Sequence, residues 1–185
     1  MNAYQPSLFP NTEYISSKSN NLDDLSSAYR NFKSGEVINE LEMKVIDILE
    51  IVLGNNFLYC PQITLKSICP NAGWIPKNIW EIWINSKVDI AVIERGLKTN
   101  RQAKLVIEYQ SFCHKLPEVK ESDYHKSQIL STVNIPLIYV EQVPEDERFY
   151  RFYTPNETTG IFYNLITQDN RQQLKTFLEQ NIAQK

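Results

Sequence analysis

Cysteine is scarce in this chain, long apolar runs are missing, and neither charge sign dominates. Cys60, Cys69 and Cys113 are an odd number without metal-ligand spacing, which argues against both a disulfide framework and a zinc knot. These thiols are expected to be buried and inert. No apolar run reaches the roughly 18 residues a membrane helix needs, and no signal-peptide pattern opens the sequence. The expectation is a protein of the reducing cytoplasm with no membrane partner. Lys and Arg number 19 against 22 Asp and Glu, a formal charge of -3. The chain as a whole therefore has no pull on polyanions, and any nucleic-acid contact must rest on a local basic surface. Internal repeats and heptads are also lacking.

What is present is enough for one core. At 185 residues and 42% hydrophobic content, one domain with tails is the default. Residues 1–34 are rich in Asn and Ser and read as a flexible or docking arm, seated on the domain or on a partner. The folded domain is expected over 35–185, with its core at 38–140.

Three short runs rich in Val, Ile and Tyr dominate that core: Lys87 to Ile93, Lys104 to Gln110 and Ile135 to Val140. Bounded by turn residues, they read as strands. The polar stretch Glu94 to Arg101 suits a hairpin turn between the first two. Ile38 to Leu53 has Leu41, Val45, Ile48, Leu49 and Val52 at helical steps and ends at Gly54. Phe57-Leu58-Tyr59 and Gln62-Ile63-Thr64-Leu65 read as a strand or bent strand pair, broken at Pro61, and Lys66 to Asn85, with Trp74, Trp80 and Trp83, as a long connection. Those tryptophans suit either loop anchoring or stacking on bases. A helix is expected from Ser122 to Val133, capped by Ser122 or Asp123, with Ile129, Leu130 and Val133 buried. A last strand at 160–165 and a packing helix from Asp169 to Ala183 complete the chain.

Charged residues interrupt these apolar patterns. Asp89 and Glu108 fall within strands, Glu42 within the apolar face of the first helix, and Lys126 on the inward side of the later helix. A buried carboxylate is costly without a hydrogen-bond donor, a cation or a metal. Glu42 also suits a first helical turn, where the dipole favours an acid. Antiparallel neighbours would bring Asp89 and Glu108 side by side, and such a pair suits a hard cation such as Mg²⁺, which takes oxygen ligands and retains waters. A metal so held could activate water against a phosphodiester.

In order and spacing these segments resemble the PD-(D/E)XK nuclease superfamily, and more closely a group of uncharacterised bacterial domains near the very-short-patch-repair endonucleases. The resemblance rests on Glu42, Gln62-Ile63-Thr64-Leu65, Val88-Asp89-Ile90-Ala91-Val92, Ile107-Glu108-Tyr109-Gln110-Ser111 with His114, Asp123 with Lys126 and Leu130, and Ile135-Pro136-Leu137-Ile138. It covers Ile38 to Val140. It implies an α/β, restriction-endonuclease-like mixed central sheet flanked by helices, with a C-terminal strand and helix added. It further implies a Mg²⁺-dependent DNA endonuclease, with Mn²⁺ as substitute, Asp89 and Glu108 as metal ligands, Glu42 as a supporting acid, and the Ile107 or Tyr109 carbonyl as a further ligand. Gln110 departs from the pattern, since a Lys most often stands there to position the attacking water. Lys126 would then supply that cation, and His114 would contact the phosphate or exchange protons.

Two other readings use the same residues. In one, the nuclease fold serves as a non-catalytic nucleic-acid-binding or assembly module in a defence or mobile-element system. In the other the charges are structural, with Asp89 paired to Lys87 or Lys104 and Glu108 to Lys126. Double-strand cutting by one small site would call for a homodimer or two nicks.

Overall fold

In a computed structural model, described over residues 35, 38–71, 73–96, 100–110, 117–157 and 159–183, the first element begins where the sequence offers a cap. Asn39 accepts from the Glu42 N–H at 2.8 Å, while the Glu42 carboxylate takes the Asn39 N–H at 3.3 Å, a reciprocal capping box. Helix α1 (Glu40–Leu53) runs from this cap to Gly54, whose φ of 72 suits glycine. A turn of 3-10 helix follows, and then strand β1 (Phe57–Thr64), which continues through Pro61 rather than breaking there.

The expected long connection instead holds two helices, α2 (Leu65–Ile68) and α3 (Lys77–Asn85). Strands β2 (Lys87–Glu94) and β3 (Ala103–Tyr109) lie close to their expected places. Helix α4 (Pro117–Thr132) begins five residues before the expected cap, so Asp123 lies within it. Its end is as read: Asn134, just beyond, has φ 56, a left-handed value Asn tolerates better than most residues. Strands β4 (Leu137–Gln142), β5 (Phe149–Tyr153) and β6 (Ile161–Asn164) and helix α5 (Arg171–Ala183) complete the order. The expected arm, 1–34, lies outside the described residues. Among those described, no helix is long and apolar enough to cross a membrane.

The six strands form one open sheet in sequence order, β1-β2-β3-β4-β5-β6. Every neighbouring pair is antiparallel except β3 and β4, which α4 connects as a crossover. Two-residue alternation splits the strand side chains between two cores. Ile90, Val92, Leu105, Ile107, Ile138 and Val140 pack with α1 and α5 through Val45, Leu49, Leu174 and Leu178. Ala91, Val106 and Leu137 pack on the other face with Leu65 of α2 and Leu130 of α4. Val133, expected to be buried beside Leu130, is exposed. The sheet is therefore covered by helices on both faces, and the charged residues that interrupt its strands must find polar partners between these layers.

The alternation changes phase at one place. Tyr59 and Ile90 belong with the first core, yet Ile63 and Val88, opposite each other in the β1–β2 ladder, pack with the second. Between Pro61↔Ile90 and Ile63↔Val88 lie Gln62 and Asp89, and Gln62 has φ 55.

Candidate functional site

The β2–β3 register puts Ile90 opposite Ile107, so the next position along brings Asp89 to Glu108. The β3–β4 register sets Tyr139 beside Glu108, and β4–β5 sets Tyr153 beside Tyr139. Gln62, Asp89, Glu108, Tyr139 and Tyr153 thus form one polar row across five strands. The row crosses β3 near the end of that strand, just before Gln110, whose N–H donates to the Val140 carbonyl at 2.6 Å.

Glu108 is the most constrained member. It is 3% exposed, and Lys126, a residue itself 8% exposed, reaches it from α4 with Nζ 2.9 Å from Oε2. Asp123 Oδ1 lies 3.9 Å from the same Nζ. The other carboxylate oxygen, Oε1, is buried with no hydrogen-bond partner among the described residues, and so is Gln110 Nε2. Burial pushes the Glu108 carboxyl up to about 7; Lys126 opposes the rise, while Asp89 and Asp123 add to it by like charge. Tyr139, between these acids and Tyr153, is pushed up to about 12, first by burial and then by Asp123 and Glu108. Asp89 is held across the strand gap, its Oδ2 accepting the Tyr109 N–H at 2.8 Å.

Glu42 reaches the row indirectly. It is 4% exposed, and besides closing the helix cap it accepts from Gln62 Nε2 through Oε1. A left-handed conformation costs a residue other than glycine about 1–2 kcal/mol. The other left-handed residues described besides Gly54, namely Arg101, Asn134, Gln168 and Asn170, sit in turns and connections; Gln62 sits inside a strand.

Of the residues expected from sequence, the fold gathers Asp89, Glu108 and Lys126 directly, sets Gln110 next along β3, and links Glu42 through Gln62. His114 lies outside the described residues. Of the alternative pairings, Glu108 with Lys126 is formed, whereas Lys104 pairs with Glu94 at 3.3 Å. Of the three tryptophans, Trp83 is a loop anchor, donating from Nε1 to the Cys69 carbonyl at 2.7 Å, while Trp74 is 87% exposed. Tyr139, Tyr153 and the linking role of Gln62 escaped the sequence reading, because a row across strands exists only once registers are known. Gln62 stands in a motif of the resemblance and Tyr139 in an apolar run, but nothing in either segment alone tells which residues face them across the sheet.

Among the described residues no group of three or more His, Cys, Asp and Glu side chains gathers as a metal site. The donors still fit Mg²⁺ in kind: two adjacent carboxylates, one with a buried oxygen lacking a partner, and an ion that keeps several of its own waters. What the arrangement offers chemically is a confined negative locus beside one fixed ammonium, at an end of β3. Compared with protein-family models, with curated proteins and with solved structures, the chain gives no match in any of the three.

Proposed function

We propose that this chain is a Mg²⁺-dependent endonuclease of restriction-endonuclease-like fold that hydrolyses DNA phosphodiester bonds. The observation that carries the reading is the buried, unpartnered Glu108 Oε1 at the position next to Asp89. A carboxylate oxygen left dry and unpaired costs several kcal/mol unless a cation takes it up. The topology supports the same reading: a helix, a three-stranded antiparallel meander, and a helical crossover to a parallel strand.

In this reading Asp89 and Glu108 hold the ion, which when bound would polarise a phosphodiester and lower the pKa of a water. Lys126 supplies the positive charge that Gln110 lacks. Its ammonium, already aimed at Glu108, is placed to orient a water or a phosphate oxygen beside that carboxylate. Asp123 holds Lys126 from its second side. Glu42 acts through Gln62.

One observation favours the non-catalytic reading. The 2.9 Å pair with Lys126 gives Glu108 a counter-charge without any metal. Plasmid nicking by the full chain in Mg²⁺ or Mn²⁺ separates the two. Hydrolysis requires metal-stimulated nicking that disappears in Asp89→Ala and in Glu108→Ala. Cleavage retained by both purified variants rejects the assignment, and a thermal midpoint identical in Mg²⁺, Mn²⁺ and chelator favours the binding module.

A further inference from the structure

Gln62 combines three features that ordinary strand packing does not call for. Its backbone is left-handed within a ladder, it stands opposite Asp89 where the alternation of β1 and β2 changes phase, and its side-chain amide is engaged by a buried carboxylate. Strained backbone that surrounding structure enforces is concentrated at functional sites. Here the enforcing contacts are explicit: Asn39 and Glu42 lock each other at the start of α1, and Glu42 Oε1 accepts from Gln62 Nε2. An amide whose nitrogen is tied to a carboxylate cannot flip, so its carbonyl oxygen is the group left to offer. Opposite positions on neighbouring strands are about 5 Å apart, a span that an oxygen ligand shell or one bridging water covers.

We infer that Gln62 is a positioning residue of the cation site, with the Asn39–Glu42 cap fixing its amide so that the carbonyl oxygen supplies a third oxygen beside Asp89 and Glu108, directly or through a metal-bound water. This rests on the reading of Asp89 and Glu108 as the ligands. It assigns Glu42 a role different from direct ligation. The buried acid sets the amide, and the amide meets the ion. It also accounts for a two-carboxylate site without a third acid, since a neutral carbonyl completes the oxygen set without adding to the charge that Asp89 and Asp123 already impose on Glu108.

The test is Mn²⁺ binding, read from the paramagnetic resonance of free ion during titration of the full chain, with far-UV dichroism and thermal midpoint in chelator as controls for folding. Removal of an outer partner of a metal site typically costs about 10–100-fold in affinity. Gln62→Leu is expected to weaken Mn²⁺ binding at least about tenfold in protein that dichroism shows to be folded, with a lowered metal-free midpoint because the buried Glu42 Oε1 loses its donor. Glu42→Gln, which frees the amide to turn, is expected to weaken it likewise. Combining Glu42→Gln with Gln62→Glu exchanges donor and acceptor, keeps the hydrogen bond, and puts an oxygen back at position 62; binding is expected to return at least to the wild-type level. Affinity for Mn²⁺ within about twofold of wild type in folded Gln62→Leu overturns the inference. If Gln62→Leu does not fold, the exchanged pair decides, and failure of that pair to bind better than Glu42→Gln alone overturns it. Asp89→Asn is the separate control. Loss of binding there with none in Gln62→Leu defeats only the role of Gln62, whereas full binding in Asp89→Asn defeats the cation site itself.

Discussion

Lys126→Met isolates what the buried ammonium does for Glu108. Met keeps most of the apolar stem and removes the charge. At 2.9 Å and an effective dielectric of about 20, the pair attracts by about 6 kcal/mol. Part of that is returned because the ammonium no longer needs to be desolvated, and breaking buried pairs costs about 3–5 kcal/mol in practice. The cost must depend on pH. With Lys126 in place the Glu108 carboxyl sits at about 7, and Lys126 is what holds it down against burial. Without Lys126 the folded-state value moves higher, while the unfolded chain keeps the ordinary 4.5. Between these values the folded variant holds a proton that the unfolded chain has lost, so its stability falls as pH rises through the interval. At pH 5 the carboxyl is neutral and the substitution should cost only a hydrogen bond and some packing, about 1–2 kcal/mol. At about pH 8.5 the cost should reach the full 3–5 kcal/mol. Urea unfolding in chelator at both pH values, followed by tryptophan fluorescence, measures the difference. Equal costs at the two, within about 0.5 kcal/mol, would refute the electrostatic account and leave only a packing role.

Three further expectations concern the frame. Gly160→Ala would place a Cβ 2.6 Å from the Phe152 carbonyl oxygen, so β5 and β6 must part, at a cost of about 1–3 kcal/mol read as a lowered thermal midpoint; an unchanged midpoint contradicts it. Tyr163 buries a hydroxyl with no partner among the described residues, so Tyr163→Phe should be neutral or stabilising by up to about 1 kcal/mol in urea, and a clear loss would show that the hydroxyl is bonded. Asn39→Ala opens the capping box and should cost about 0.5–2 kcal/mol in the same assay, with stability indistinguishable from wild type counting against the cap.

Three central strands were legible because Val88 to Ile93, Leu105 to Tyr109 and Leu137 to Val140 carry the composition of doubly covered strands, and helices on both faces bury them, whereas β5, with aromatic and basic residues alternating only in part, was not legible as a strand. Lys126 was legible from its wheel angle beside Leu130. Helix α3 was not: it is nine residues long with none fully buried, and Pro70, Gly73 and Pro76 just before it read as breakers of regular structure. The start of α4 was missed because Pro117 to Asp123 contains one apolar side chain besides the proline, leaving only Pro at the first helical position as a signal. Asp89 and Glu108 announced themselves as acids among apolar neighbours. Gln62 was visible as part of a motif, but its role was not legible, since an uncharged amide in a strand shows what it serves only when pairing reveals what stands across from it.

The outermost strand on one side is β1, and Pro61 with the left-handed Gln62 falls in its second half. Pro61 has no N–H to give, and the left-handed residue after it turns the next peptide out of line. A second copy of the chain approaching that flank therefore meets a poor template for continued strand pairing. The same two residues that shape the row beside Asp89 thus make the β1 flank a poor place for growth by sheet extension, leaving the four-residue β6 as the sheet's other edge.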